Sequence, residues 1–317
     1  MRVGSTIAGR YLLTGIVGEG GAAIVYEAID SRLGHKVAVK ILHRRDPINE
    51  RRMEREARVA AALRHPNVCL VTDFGRTDDR VPFLVMELLV GQPLSELLRQ
   101  QRSLGIEQTL DIAKQVLSVL HVANEHGVIH RDIKPENLFL ADVVGRPPLV
   151  KVLDFGIATA DCEDGLTGRG NVIGTPAYMS PEQAAGHADI DGRTDIYACA
   201  TVLYECLAGR PPYQGATKRE VMDRIIRGGA PPIASIRGDL PANIGRAIDR
   251  AMRVEREARF TTALEMLEVL DGRSEMPAEN WDAETSDIGQ LPAEARYDDV
   301  TEPRVPSIQD VLKRHRR

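Results

Sequence analysis

Eight contiguous residues, His130-Arg131-Asp132-Ile133-Lys134-Pro135-Glu136-Asn137, followed about 20 residues later by Asp154-Phe155-Gly156, constrain this chain more than any other feature. Each motif supplies a different chemical group in a fixed order. Asp132 is a carboxylate able to accept a hydroxyl proton, and Lys134 is a cation able to steady a transferring phosphate. Asn137 and Asp154 are hard oxygen donors suited to Mg2+, which keeps waters and phosphate oxygens as its other ligands. Strand-like segments stand on either side, and so many groups in this order are improbable by chance. The set is what phosphoryl transfer needs, a reaction in which a protein mostly positions groups and neutralises charge.

The 317 residues are enough for a two-lobed core of about 260 residues and a remainder. A net charge of -5 gives no general attraction to nucleic acid or to an anionic membrane, so neither is an expected partner. Cys69, Cys162, Cys199 and Cys206 are scattered, without a C-x-x-C pair or a histidine at zinc spacing, which fits a reduced, cytoplasmic compartment. The longest apolar stretch, residues 82–90, is far short of the roughly 20 residues needed to cross a bilayer, and residues 1–10 lack a signal peptide's apolar segment. A protein without a membrane span is expected.

Alternation of β-branched and polar residues over 11–42, broken by glycines, predicts a short antiparallel sheet. Met53, Ala57, Ala60, Ala61 and Leu63 recur at helical spacing within 49–63 and predict one amphipathic helix against that sheet. Helical periodicity resumes after Leu94 and recurs over 110–122, 194–207, 244–252 and 263–270, so the second half is mainly helical. Beyond Gly272 the periodicity stops, prolines accumulate, and acids dominate until the basic Lys313-Arg314-His315-Arg316-Arg317. The expected organisation is an α+β chain with a lead over 1–10, a β-rich lobe over 11–88, a helical lobe over 89–272 and a disordered acidic tail with a basic end over 273–317.

Gly18-Glu19-Gly20-Gly21-Ala22-Ala23 lies between two strand-like runs, where glycines let backbone N–H groups approach phosphates closely. On its own such a turn reads more often as a plain hairpin. Lys40 sits in the otherwise apolar Val37-Ala38-Val39-Lys40, and alone it would snorkel to the edge or find an anion. A second Asp-Phe-Gly, at Asp73-Phe74-Gly75, reads as a strand running into a tight turn.

Taken in order, the glycine-rich turn, the Lys40 strand, the His130 to Asn137 loop and Asp154-Phe155-Gly156 resemble the protein kinase family over residues 11–271. His65-Pro66-Asn67-Val68 and the run from Gly174-Thr175-Pro176-Ala177-Tyr178 to Met179-Ser180-Pro181-Glu182-Gln183 look like the bacterial, eukaryotic-type members. The resemblance implies a two-lobed kinase fold and transfer of the γ-phosphate of ATP, with Mg2+, to protein serine or threonine hydroxyls. Lys134 marks the serine/threonine branch. Asp132 would orient the hydroxyl, and Lys40 would grip the nucleotide phosphates and pair with a glutamate of the first helix. Glu56 is the choice by its surroundings, and Glu54 is the competitor. Asn137 and Asp154 would hold the metal.

Val17, Gly18, Glu19 and Gly20 would cover the phosphates, Val25 and Ala38 would roof the adenine and Phe139 would floor it. Met86 would be the gatekeeper, with the backbone of Glu87 and Leu89 bonding the adenine. The family's third glycine is replaced by Ala23, which would stiffen the loop. Glu182 would pair with Arg259, Asp195 would brace the catalytic loop, and Thr175 would hydrogen-bond towards Asp132 and Lys134. Arg131 before Asp132 implies control by a phosphorylated loop, with Thr167 the phosphosite and self-association a route to autophosphorylation. Cys162 reads as an unremarkable loop thiol. Two other classes stay open: a nucleotide-holding pseudokinase scaffold, and a small-molecule phosphotransferase on the same fold.

Overall fold

A computed structural model describes residues 2–155 and 176–275. Thr167, Cys162, Thr175, Gly156 and the tail from 276 to 317 lie outside the described residues. The upper lobe is one sheet of six strands, β1 (Thr6–Ile7), β2 (Tyr11–Glu19), β3 (Ala23–Asp30), β4 (Lys36–Leu42), β5 (Val71–Arg76) and β6 (Pro82–Glu87), in the order β1-β2-β3-β4-β6-β5. All pairings are antiparallel. The sheet begins earlier than the alternation suggests, because Thr6 and Ile7 pair with Leu12 and Tyr11 and bury Ile7.

Side chains alternate across a strand, so this sheet has two distinct faces. Tyr11, Leu13, Tyr26, Val37, Val39, Ile41, Phe83 and Val85 form an apolar core on one. Lys40 pairs with Val25 and Leu84, and Ala38 with Met86; cross-strand partners share a face, so these five line the other. Against Leu42 and Leu84 of that second face packs helix α1 (Pro47–Ala62), through Met53 and Ala57. Asp46 caps α1 by accepting the amide of Ile48, and Pro47 occupies the first turn, where a missing N–H costs nothing.

The lower lobe opens with a small antiparallel sheet, β7 (Gly91–Pro93), β8 (Leu138–Ala141) and β9 (Leu149–Val152). Gly91, in a segment that reads as a polar turn, is a strand residue paired with Ala141. Its φ of 139° and the Leu140 carbonyl beside the place a Cβ would take require glycine there. Helices α2 (Leu94–Gln101), α3 (Ile106–Glu125), α4 (Pro181–Ala184), α5 (Arg193–Ala208), α6 (Lys218–Arg227), α7 (Ile233–Ile236), α8 (Ala242–Ala251) and α9 (Ala263–Leu270) complete it. Helix α5 is buried almost all round; α3 and α8 pack on it, and α9 packs on α3 and α8, in one continuous core. The segment 65–69 is stitched to this lower lobe: Cys69 N donates to the Val152 carbonyl, Val152 N to that of Asn67, and Asn67 Nδ2 to that of Val150.

Candidate active site

Lys40 stands on β4 with its side chain on the α1 face of the sheet. Its Nζ donates to both carboxylate oxygens of Glu56 at 3.0 Å and to Asp154 Oδ1 at 2.6 Å. Three residues separated by up to 114 positions thus meet at one amino group. Glu54, the competing glutamate, points elsewhere and pairs with Arg76. Burial acts to lower the Lys40 pKa, but the charges of Glu56 and Asp154 outweigh it and hold the ammonium form. Glu56 is raised, first by burial and then by Asp154, against the opposing pull of Lys40. Burial opposes ionisation of Asp154, yet the Lys40 ammonium prevails and holds its carboxyl below the ordinary carboxylate range. Two carboxylates share one lysine here, so a further cation at Asp154 would be met by negative charge.

A second cluster lies in the loop between α3 and a single 3-10 turn, Pro135–Asn137. Lys134 Nζ donates to both oxygens of Asp132, at 3.0 and 2.8 Å. Asn137 Nδ2 donates to Asp132 Oδ2 at 2.9 Å and to its backbone carbonyl at 2.8 Å. These bonds use the amide nitrogen of Asn137, so its oxygen is the atom left to offer a cation. The backbone is pinned from below by buried Asp195 of α5, whose two oxygens accept the amides of His130 and Arg131 at 2.7 Å each. Arg131 adopts φ 66°, and an aspartate accepting two consecutive amides is a fit brace for that turn.

The two clusters are tied together through the residues before Asp154. His130 Nε2 donates to the Leu153 carbonyl at 2.9 Å, its Nδ1 accepts from Asp132 N at 3.2 Å, and Leu153 N donates to the Asn137 carbonyl at 2.9 Å. The His130 ring also packs on buried Phe155 at 4.6 Å between centroids. Asp154 itself has φ 55°, a left-handed conformation that turns its carboxylate to Lys40.

Val25, Ala38 and Met86 share the Lys40 face of the upper sheet, and Phe139 lies in the lower one, half-buried, between Pro93 and Lys151. The amide of Glu87 donates to the Leu70 carbonyl, so the Glu87 backbone group left for a base edge is its carbonyl. Leu89 follows, half-buried, before β7. Val17, Gly18 and Glu19 close β2, and Gly20 N donates to the Ala23 carbonyl across the turn. Ala23 opens β3, so the missing third glycine falls on a strand residue. A Cβ built on Gly18 or Gly21 would meet nothing within 4 Å, which leaves the space over the turn open.

The second Asp-Phe-Gly is structural. Asp73 accepts from the Tyr11 hydroxyl at 2.5 Å and from Arg10 Nη1 at 3.1 Å, while Arg10 also grips buried Asp30. A side chain on Gly75 would strike the Phe83 ring at 2.8 Å. Glu182 of α4 meets fully buried Arg259 in a two-pronged pair at 2.8 and 2.7 Å, and Gln183 Nε2 donates to the Arg131 carbonyl. Sequence reasoning gave no role to the Glu87 side chain, which accepts from Lys151 Nζ at 2.6 Å and from the Leu70 amide at 2.7 Å. No local signal could have found this pair, since its partners are 64 positions apart.

Residues 11–268 match the protein kinase domain. The chain is 38% identical to the serine/threonine-protein kinase PknA of Mycobacterium tuberculosis, over 78% of this chain and 57% of that protein. It is 40% identical to the serine/threonine-protein kinase pkn3 of Myxococcus xanthus, over 78% of this chain and 46% of that one. A probable serine/threonine-protein kinase of Clostridium acetobutylicum is 35% identical over 84% of this chain and 40% of its own length. The chain therefore spans about half the length of the curated relatives it matches. Among solved structures, the kinase domain of Mycobacterium tuberculosis PknI superposes with a TM-score of 0.66 at 27% identity, covering 86% of this chain and 99% of that one. By its matched domain, its relatives and its two-lobed fold, the chain belongs to the protein kinase family, among the bacterial eukaryotic-type serine/threonine kinases.

Proposed function

We propose that this chain transfers the γ-phosphate of ATP to serine or threonine hydroxyls of proteins. The observation that carries the reading is the pair of linked clusters, Lys40 with Glu56 and Asp154, and Asp132 with Lys134 and Asn137. Among the described residues no group of three or more His, Cys, Asp or Glu could hold a metal alone. Two hard oxygens suit Mg2+ nonetheless, because nucleotide phosphates and waters complete its shell. Asn137 through its amide oxygen and Asp154 through its carboxylate would hold that ion, which supplies charge neutralisation at the phosphates.

Asp132 orients the acceptor hydroxyl and takes its proton on a carboxylate oxygen. Lys134, already bonded to both oxygens of Asp132, keeps that carboxylate aimed and presents its ammonium to the phosphoryl oxygens. Lys40 grips the nucleotide phosphates, and Glu56 keeps its amino group from swinging away. Val17, Gly18, Glu19 and Gly20 cover the phosphates, and Val25, Ala38, Met86, Glu87, Leu89 and Phe139 enclose the base. Glu182, Gln183 and Asp195 are scaffold for the loop that carries Asp132.

Thr167 is the proposed site of activating phosphorylation, and copies of the chain would meet to modify one another. No helix among the described residues is long and apolar enough to cross a membrane. We place the protein in the cytoplasm on a separate ground, its scattered cysteines without a C-x-x-C pair. Neither the relatives nor the site supports a pseudokinase. Incubation with labelled Mg-ATP and a generic basic protein, followed by phosphoamino-acid analysis and peptide mapping, tests the reading. Label on serine and threonine that vanishes in Lys40→Met, with Thr167 among the labelled positions of the chain itself, is expected. Label on tyrosine, or Thr167 unmodified in active protein, contradicts the corresponding part.

A further inference from the structure

Helix α1 presents Glu56, yet little apolar surface fastens it: its buried residues are Met53, Glu56, Ala57 and Ala60. At 100° per residue, Met53, Ala57 and Ala60 form a narrow stripe, with Glu56 along one border and Glu50 and Glu54 along the other. A helix whose buried apolar side chains are one methionine and two alanines, with half-buried Val59 reaching the lower core, can roll on that stripe, and rolling is the motion that would carry Glu56 from Lys40. The Glu56 border is held by the bond to Lys40. The opposite border is held by one residue of β5. Arg76 Nη1 donates to Glu50 Oε2 at 2.8 Å and Nη2 to Glu54 Oε1 at 3.0 Å, so a single planar fork bridges two carboxylates one turn apart.

We propose that Arg76 is a positioning residue for Glu56, a fork that fixes the roll of α1 from the border opposite Lys40. The inference rests on the reading of Glu56 as the partner that steadies Lys40. Glu50 is the better-seated arm, with its side chain 14% exposed and Arg45 Nε donating to its other oxygen at 3.4 Å. Glu54 was the rival for the Lys40 partnership; the fork assigns it a different task on the same helix. The fork borders a recess of about 350 Å3 lined by Arg45, Pro47, Glu50, Arg51, Glu54 and Arg76, so ions reach it and salt weakens it.

Arg76 Nη1 also donates to the Arg80 carbonyl at 3.1 Å, and a purely local role in the turn after β5 is the competing account. Hydrogen exchange followed by mass spectrometry separates the two. For Arg76→Ala, amides of 50–60 should exchange about three- to tenfold faster, the range for two partly exposed ion pairs, with β5 and β6 unchanged. Glu50→Gln with Glu54→Gln, which leaves the Arg80 contact intact, should reproduce it, and Arg76→Lys should recover part. Unchanged α1 exchange in Arg76→Ala, or faster exchange confined to β5 and its turn, overturns the proposal. Because the readout is exchange, a chain that transfers no phosphate would refute the kinase reading while leaving the fork to be judged on its own.

Discussion

Replacing Arg259 by methionine should be among the most damaging single changes in the lower lobe. The guanidinium is buried and every N–H is used: Nε donates to the Arg253 carbonyl, Nη1 to Glu182 and the Arg193 carbonyl, Nη2 to Glu182 and the Val254 carbonyl. It also lies over the Tyr197 ring at 5.0 Å. Methionine fills similar volume but leaves the Glu182 carboxylate buried with Thr194 as its remaining side-chain partner. Burial alone would raise the Glu182 pKa, but the Arg259 bond outweighs it and holds the group at about 2, against 4.5 in an unfolded chain. The difference of 4.5 − 2 corresponds to about 3 kcal/mol at neutral pH, at the lower end of the roughly 3–5 kcal/mol typical of a broken buried pair.

The sign is fixed. A carboxylate with a depressed folded pKa stabilises the fold above 4.5, and that contribution is lost as pH falls towards 2. About 1 kcal/mol of it survives at pH 3. Thermal unfolding of wild type and Arg259→Met should thus differ by roughly 6–12 °C at pH 7, at about 2–4 °C per kcal/mol for large domains, and by clearly less near pH 3. A loss under about 1 kcal/mol at pH 7, or one that grows on acidification, refutes the assignment of this pair as the anchor of α4.

Gly91→Ala should cost at least about 1–3 kcal/mol in a urea titration, because the left-handed φ and the Leu140 carbonyl both resist a Cβ; wild-type stability would contradict the β7 geometry. Burial raises the thiol pKa of Cys69 and Cys199 to about 12 and pushes Cys206 up as well. All three should therefore resist iodoacetamide near pH 8 in the folded protein and react on unfolding, and rapid native labelling at any of them would show that its burial is wrong.

The catalytic loop was legible because its groups are contiguous: Asp132, Lys134 and Asn137 act on one another over five residues. Helices announced themselves by period, so a spacing that predicts 49–63 corresponds to α1 at Pro47–Ala62, displaced by the Asp46 cap. Strand β7 was not legible, since three residues ending in proline show no alternation and look like a turn. Glu56 was legible over Glu54 from its surroundings, but the task of Glu54 appeared only once the sheet register placed Lys40 on one border of α1 and Arg76 on the other. The side-chain role of Glu87 depends on the same kind of long-range register, through Lys151. The second Asp-Phe-Gly was legible as a decoy by its position, but its partners Arg10 and Tyr11 were not.

Transfer of labelled γ-phosphate from Mg-ATP by the wild-type chain and by Asp132→Asn, with nucleotide binding measured in parallel, tests the central claim most directly. The account predicts incorporation by wild type, a fall of about 10²–10⁴-fold in the variant, and retained nucleotide binding in both. Equal incorporation by the two proteins, or a wild type that binds Mg-ATP and transfers nothing, would contradict it.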